Sequence, residues 1–516
     1  MARIENDQGI AIRLPTRAGE FVTARRCIND LPLDVLITIF KMVYFNSRKI
    51  GHYVEKLIES ADGDTEWEDP DEGIPTDWHK DDNLFSPSLF PEALAAVCPL
   101  WREAMNCVSV FWTRLVIIVG QHSTPLSEIS SYLTLSRKHP IDIIITHHPQ
   151  DVNSSDTSGE VRVVEIMELL LPHIGRWRKL HINVALQSSQ SSLPSRISDL
   201  RGNASALTRL RLESSSPRTT RMDRILRLVE DFQTPALQEL VSDGYVFRDA
   251  YLSSPKSLAS ITTLTISHFS AWNFVGDSKL FFVSELVVCL HRLQNLTDLR
   301  LVDLVLDDFM TVSRLPQNAS LDIESVRFEG MHGSNLSNFY YVANRPRFTY
   351  LTFGRCTLPH RISMGGCMEL NLSDLSPDSD IHALLQDWDG DCDNALSVSN
   401  CSSFDGRVLL QLSVAANGEW LCPRMTSLDV EDCPLFNSGD LQRMVQARRE
   451  EHAKSGFADE GDPNFTIPSI EHLSVSHSGD LTSEDKAWFD KNVKYVTWDE
   501  WTGGYEYGQF TGRRRQ

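Results

Sequence analysis

The sequence predicts an α/β protein in two parts: a small N-terminal helical module, then an irregular solenoid whose curved parallel sheet is backed by outer helices and loops. Three observations predict it. A chain of 516 residues exceeds what one ordinary hydrophobic core serves, so several domains or one repeat array is expected. The texture changes at Leu115, from amphipathic helical patterns to short β-like segments. Beyond that point an apolar-x-x-apolar-x-apolar string recurs to the end of the chain.

Residues 1–28 are polar and aperiodic, the composition of a frayed arm. Residues 29–114 form the helical module. Within it, NDLPLDVLITIFKMVYF (29–45) opens a helix: proline near the first helical position gives up no intrahelical bond, and Asp34 in the first turn suits the positive end of the dipole. Leu36, Ile39, Phe40 and Val43 follow at i, i+3, i+4 and i+7, one apolar stripe. An insertion at about 46–88 is acidic and turn-rich, with Lys80 the exception among negative charges from Glu59 to Asp82. Such a segment cannot bury enough apolar surface to offset its ordering entropy. The helical texture resumes in LFPEALAAVCPLWREAMNCVSVFWTR (89–114), where Ala93, Val97, Leu100 and Trp101 give a second stripe. These pieces are too small to close a well-buried domain, and so leave apolar surface for a partner.

The solenoid is assigned to 115–500 and a tail to 501–516. LVIIV (115–119) and IDIIIT (141–146) flank a helix over PLSEISSYLTLSRKH. Then come WRKLHI (177–182), LTRLRL (207–212), LQELVS (237–242), ITTLTI (261–266), LTDLRL (296–301), IESVRF (323–328), FTYLTF (348–353), MTSLDV (425–430), IEHLSV (470–475) and VKYVTW (493–498). Their centres Leu180, Leu210, Leu240, Leu264, Leu299, Val326 and Leu351 are separated by 30, 30, 24, 35, 27 and 25 residues. A leucine-rich repeat runs roughly 20–29 residues, so the register is that of a degenerate array. The 77-residue gap from Leu351 to Leu428 is expected to hide poorer units around Leu370 and Leu396. Cys356 with Leu358, and Cys433 with Leu435, fall where the repeat consensus wants a small Asn or Cys in the turn and then an apolar residue. One unit cannot cover its own apolar face, so neighbours must stack.

Composition narrows the function. Against 49 Lys+Arg stand 70 Asp+Glu, a net charge of −21, so nucleic acid and anionic membrane are repelled on average. The N-terminus lacks the apolar core of a secretory signal, and no stretch approaches the roughly 20 apolar residues of a membrane helix. Ten scattered cysteines without a CxxC pair fit reduced thiols in cytoplasm or nucleus. No phosphate loop, GxGxxG after a strand, HExxH or GxSxG elbow occurs, so no catalytic, cofactor or metal residue is assigned. His147 and His148 are adjacent, and on a strand they point to opposite faces. Cys422 and Cys433 have no partner pair at zinc spacing. Asp387, Asp389, Asp391 and Asp393 hint at calcium, but Gly390 is misplaced and no distal Glu completes a loop.

The N-terminal module resembles the F-box family. Leu31, Pro32, Leu36, Ile39 and Phe40 match the family's Leu-Pro opening and its helix ending in Ile-Phe. Val97, Cys98, Trp101 and Arg102 match its Val-Cys-x-x-Trp-Arg motif, and Phe111-Trp112 its late Leu-Trp. The long insertion departs from the family pattern. HPIDIIIT followed by LLPHIGRWRKLHI extends the likeness to fungal-type F-box proteins with a degenerate repeat region. The resemblance implies docking on a Skp-family adaptor of a cullin-based ubiquitin ligase, with the repeats selecting a client protein. Leu31, Pro32, Leu36, Ile39 and Phe40 are the expected adaptor contacts. Val97, Cys98 and Trp101 complete that set, chiefly by holding the module together, and Trp101 and Trp112 favour core positions. Strand alternation puts Lys179, His181, Arg209, Arg211, Arg300, Arg327, Asp429 and Glu431 on the exposed face, a two-signed client groove or simply solubilising charge. A scaffold without ligase function, and an α/β enzyme with a site in 360–420, stay open.

Overall fold

A computed structural model describes residues 28–44, 91–120, 123–147, 165–183, 202–213, 232–252, 255–270, 280–307, 320–358, 364, 366–386, 388, 394–415, 420–454 and 467–506. The acidic insertion, His148 and the four aspartates 387–393 lie outside them. Contacts divide the chain into two units, Met1–Phe111 and Trp112–Gln516.

In the first unit residues 33–44 are helical, and Pro32 opens the helix by offering its carbonyl to the amides of Val35 and Leu36. Two short helices follow, Glu92–Ala95 and Pro99–Asn106. They are separate because Pro99 drives Cys98 into an extended conformation, φ −160° and ψ 167°. That break splits the stripe read through Ala93, Val97, Leu100 and Trp101. Ala95, Ala104 and Met105 are buried instead, and Val97 is 57% exposed. Phe40 packs on Trp101 with ring centroids 4.9 Å apart, and Trp101 Nε1 donates to Asn29 Oδ1 at 2.9 Å. Tyr44 packs on Phe111 at 5.2 Å.

The second unit is α/β. Its strands are β1 (Arg114–Val119), β2 (Ile141–His147), β3 (Trp177–Asn183), β4 (Gly202–Asn203), β5 (Arg209–Glu213), β6 (Phe232–Gln233), β7 (Glu239–Asp243), β8 (Thr263–Ser270) and β9 (Asp298–Val305). They continue with β10 (Asp322–Glu329), β11 (Arg347–Gly354), β12 (Glu369–Ser373), β13 (Asn394–Ser399), β14 (Met425–Glu431), β15 (His472–Ser476), β16 (Tyr495–Trp498) and β17 (Trp501–Gly503). All but β4 and β6 form one 15-stranded sheet in chain order. Every pair in it is parallel except the last, β16 with β17. A solenoid-like arrangement is compatible with this order. Each recurring string is a strand, and the two expected near Leu370 and Leu396 are β12 and β13. The segment read as a tail from 501 begins instead with β17, which pairs with β16.

One register runs through the sheet. Leu115, Ile143, Leu180, Leu210, Leu240, Leu264, Leu299, Val326, Leu351, Leu370, Leu396, Leu428, Leu473 and Val496 are successive cross-strand partners. All are at most 2% exposed. A second ladder two residues on carries Ile266, Leu301, Phe328, Phe353, Leu372, Val398 and Val430, with Phe328 stacked on Phe353 at 5.6 Å. Helices supply the opposing apolar side chains: Leu286 and Leu290 in Val283–His291, Leu336 and Phe339 in Gly333–Ala343, Met444 and Val445 in Ser438–Lys454. No described helix is long and apolar enough to cross a membrane.

Strand ends repeat as faithfully as strand centres. Four residues past the ladder, His268, Asp303, Gly330, Arg355, Asp374, Asn400, Asp432 and His477 take positive φ. The next position turns inward, and where it is cysteine the thiol meets backbone carbonyls, as expected for Cys356 and Cys433 and found also for Cys401. Cys356 Sγ approaches Gly354 O at 3.3 Å and Phe328 O at 3.5 Å. Cys401 does the same with Ser399 and Leu372, and Cys433 with Glu431 and Val398. The described cysteines form no disulfide.

Arg448 is fully buried, and its guanidinium donates to the carbonyls of Leu412, Leu421, Cys422 and Pro423. Burial lowers its pKa to about 10.

Two stability measurements check this account. Leu351→Ala should cost about 2–5 kcal/mol in urea denaturation, whereas Thr352→Ser, one residue along on the other side of β11, should stay within about 0.5 kcal/mol. Arg448→Met keeps the volume but removes the donor shared by four carbonyls, of which Cys422 O still accepts from the Met425 amide, and should cost about 3 kcal/mol or more.

Candidate functional site

Because alternate residues of a strand point to opposite sides, the ladders leave one polar side to the sheet. Lys179, His181, Arg209, Arg211, Arg300, Arg327, Asp429 and Glu431 all occupy that side, half-buried or exposed. Register brings them together in pairs: Lys179 beside Arg209, His181 beside Arg211, Arg300 beside Arg327. Both acids lie on β14, four strands beyond β10, so the structure does not gather the two signs into one spot. Between them the open positions of β12 and β13 are Glu369, Asn371, Ser373, Ala395, Ser397 and Ser399.

Several of these charges are already partnered. Arg209 Nε lies 2.9 Å from Glu239 Oε2. On β9–β11 a residue the sequence reading missed, Glu329, organises the cluster. Its Oε2 accepts from Arg300 Nη2 at 2.5 Å and lies 3.4 Å from Arg327 Nε, and its Oε1 accepts from Arg355 Nη2 at 3.2 Å. Arg355 also approaches Asp303 at 3.7 Å. Partial burial opposes ionisation of Glu329, but the Arg300 hydrogen bond and charge, with Arg355 and Arg327, hold its pKa below the ordinary glutamate value. The hydrogen bond that Arg355 donates to Glu329 and the charge of Asp303 raise that of Arg355. Gly330 is required here: its φ is +62°, and an added Cβ would fall 1.9 Å from Asp303 Oδ1.

At the C-terminal edge of β12–β15 the turns leave a cleft of about 490 Å³, lined among others by Asp374, Asn400, Asp432, Pro434 and His477. His477 Nδ1 sits 3.4 Å from Asp432 and 3.7 Å from Glu431. A histidine and two carboxylates can hold a divalent cation. All three side chains are at least half exposed, however, and ordinary ion pairing accounts for their approach. Cys422 and Cys433 are both buried, and burial pushes the Cys422 thiol up to about 12, which keeps it protonated and a poor metal ligand.

The N-terminal helix divides its apolar residues between two sides. Leu36, Phe40 and Tyr44, at i, i+4 and i+8, are sealed at 2% exposure or less. Leu36 and Phe40, expected at a partner, therefore build the interior, and Tyr44 OH bonds to Val110 O at 3.2 Å. Leu31, Pro32, Val35, Met42 and Val43 are exposed, and Ile39 is half-buried between the two sides. Val97 joins the exposed set, while Cys98 and Trp101 are half-buried. Phe111 belongs to the first unit and Trp112 to the second, where it packs edge-on to Tyr132 at 5.0 Å.

Glu329 makes a pH prediction. With its folded pKa depressed, its contribution is complete above the unfolded value of about 4.3 and is lost as pH falls through the folded value. The stability gap between wild type and Glu329→Gln, on the order of 1 kcal/mol near neutrality, should close below about pH 4 in urea titrations. A gap that stayed constant down to about pH 3 would contradict the role given to Glu329. Compared with known proteins, the chain matches no family model and no curated protein.

Proposed function

We propose that this protein is a substrate-recognition subunit of a cullin-type ubiquitin ligase. In this reading the first unit is an F-box-like module that docks on a Skp-family adaptor. The second is a leucine-rich-repeat-like solenoid that holds a client protein on its open polar side. The observation that carries the proposal is the exposed apolar set Leu31, Pro32, Val35, Met42 and Val43 on a helix whose other side is closed by Leu36, Phe40 and Tyr44.

An amphipathic helix laid in an apolar groove is a recurring mode of protein recognition. A helix that is apolar all round has two surfaces to cover. Its own unit covers one here, and the other is left for a second subunit. The repeat unit supports the same reading from the opposite direction. The thiols of Cys356, Cys401 and Cys433 sit in turns where the repeat consensus wants a small residue, and the side of the sheet opposite the ladders is rich in polar side chains. Adaptor function needs no bond-making chemistry in this chain, because holding a client raises its effective concentration near the transferring enzyme.

Capture of a purified Skp-family adaptor by the full chain tests the docking half. Val35→Lys/Met42→Lys and Leu31→Ala/Pro32→Ala should each lower capture by about tenfold or more with little change in melting temperature. Leu36→Ala should lose about 2–5 kcal/mol of module stability instead. No capture by the wild-type chain would reject the proposal. Capture without accumulation of any client on deletion of the chain would leave a scaffold that serves no ligase.

A further inference from the structure

We propose that Arg300, Arg327 and Arg355 form an oxyanion-binding site that takes a phosphate ester or a side-chain carboxylate from a protein segment lying across β9–β11. The proposal rests on the client-binding reading only for what carries the group; the site itself follows from the side chains.

Arg300 and Arg327 are direct cross-strand partners, and strands in a sheet lie about 4.8 Å apart. Like charges placed opposite each other are destabilising, so folding alone gives no reason for the pair. Glu329 offsets part of the repulsion, but one shared carboxylate serves three guanidinium groups, and Asp303 reaches only Arg355 among them. The cluster keeps a positive excess. Exposure decides where that excess is felt: Glu329 is 15% exposed, whereas Arg300, Arg327 and Arg355 are 41%, 47% and 50% exposed. The carboxylate is covered and the cations meet the solvent.

Each guanidinium touches Glu329 through a single nitrogen: Nη2 of Arg300, Nε of Arg327 and Nη2 of Arg355. Among the described residues the remaining nitrogens make no hydrogen bond, and Nε of Arg300 is buried without a partner. The guanidinium fork matches the paired oxygens of phosphate and carboxylate, and a carboxylate anchor that fixes its orientation lowers the entropy lost on binding. Thr265 and Thr352, the register partners of Arg300 and Arg327, flank the cluster with hydroxyl donors. The net charge of −21 repels anions at long range, but at physiological salt screening acts over about 8 Å, so the local cations govern at contact.

The test uses the full-length chain, immobilised, and three degenerate peptide libraries identical except for a fixed central serine, phosphoserine or glutamate. The phosphoserine library should be retained over the serine library. Retention should drop by about tenfold or more in Arg327→Ala and in Arg355→Ala, fall with added salt, and recover only in part with Arg327→Lys. Melting curves matching wild type show that these half-exposed substitutions leave the fold intact. Retention of the phosphoserine library alone names phosphate as the source. Equal retention of the glutamate library, lost in the same variants, names carboxylate, and either result supports the site. Equal retention of all three libraries, or retention unchanged in both alanine variants, overturns it. Adaptor capture measured on the same preparations separates the two proposals. Arginine-dependent retention without capture keeps the oxyanion site and discards the ligase reading, and capture without such retention does the reverse.

Discussion

The structure of the second unit depends on one constraint, that each parallel strand must present its ladder residue to the same layer as its neighbours. A strand moved by one residue would turn its whole apolar set to the other side of the sheet. The ladder from Leu115 to Val496 holds that register even though the intervals along the chain range from 19 residues, between Leu351 and Leu370, to 45, between Leu428 and Leu473. Length variation is absorbed by the connections, where added residues cost little closure entropy. An irregular repeat period is therefore compatible with a regular sheet.

The turn after each strand is the second fixed element. Asp, Asn and His tolerate the left-handed region better than most residues, and glycine enters it freely. These types fill seven of the eight positions four residues past the ladder, with Arg355 the exception. Polar chemistry thus accumulates along one edge of the sheet because the backbone demands it there. That gives His268–Asp303 and Asp432–His477 a structural origin which needs no ligand. Arg355 has no such backbone reason for its place. Its presence beside Glu329, where glycine or asparagine would bend the chain at less strain, marks the β9–β11 cluster off from the rest of the edge.

Strands were legible in the sequence because period and register express the same contact. Even the weak units around Leu370 and Leu396 could be placed, since a sheet in chain order leaves no room for a gap. The N-terminal helix was harder. Leu36, Ile39, Phe40 and Val43 fit one stripe, but Leu36, Phe40 and Tyr44 fit another, and only packing against Trp101 and Phe111 chooses between them. The stripe through Val97 failed for a local reason, the turn that Pro99 imposes. Arg448 was visible in principle: it continues Leu441, Met444 and Val445 at i+7, which should have turned it inward despite its charge. Glu329 left no such trace. Its role arises from arginines on β9, on β10 and in the turn after β11, and no spacing within one segment encodes that meeting.

The two units settle the same problem of surplus side chains in opposite ways. The helical module has more apolar surface than its described residues bury, so Val35 and Met42 stay exposed. The sheet has the reverse surplus, a polar side longer than its internal pairing can neutralise. Serine and threonine fill part of that surface, as at Thr263, Thr265 and Ser267 on β8 and Ser397 and Ser399 on β13, and apolar residues such as Val116, Ile144 and Val241 interrupt it. Charge is concentrated where strands place like side chains in register, at Lys179–Arg209 and at Arg300–Arg327. Arg209 leans on Glu239 of the neighbouring strand β7, and Arg300 and Arg327 share Glu329 of β10, so each basic spot has an acid beside it. Such acids fix the direction of a cation without cancelling it when the cations outnumber them. That condition is met on β9–β11, where strands carry Arg300, Arg327 and Glu329 and the turn closing β11 carries Arg355, and rigid placement is what selective recognition of a small charged group requires.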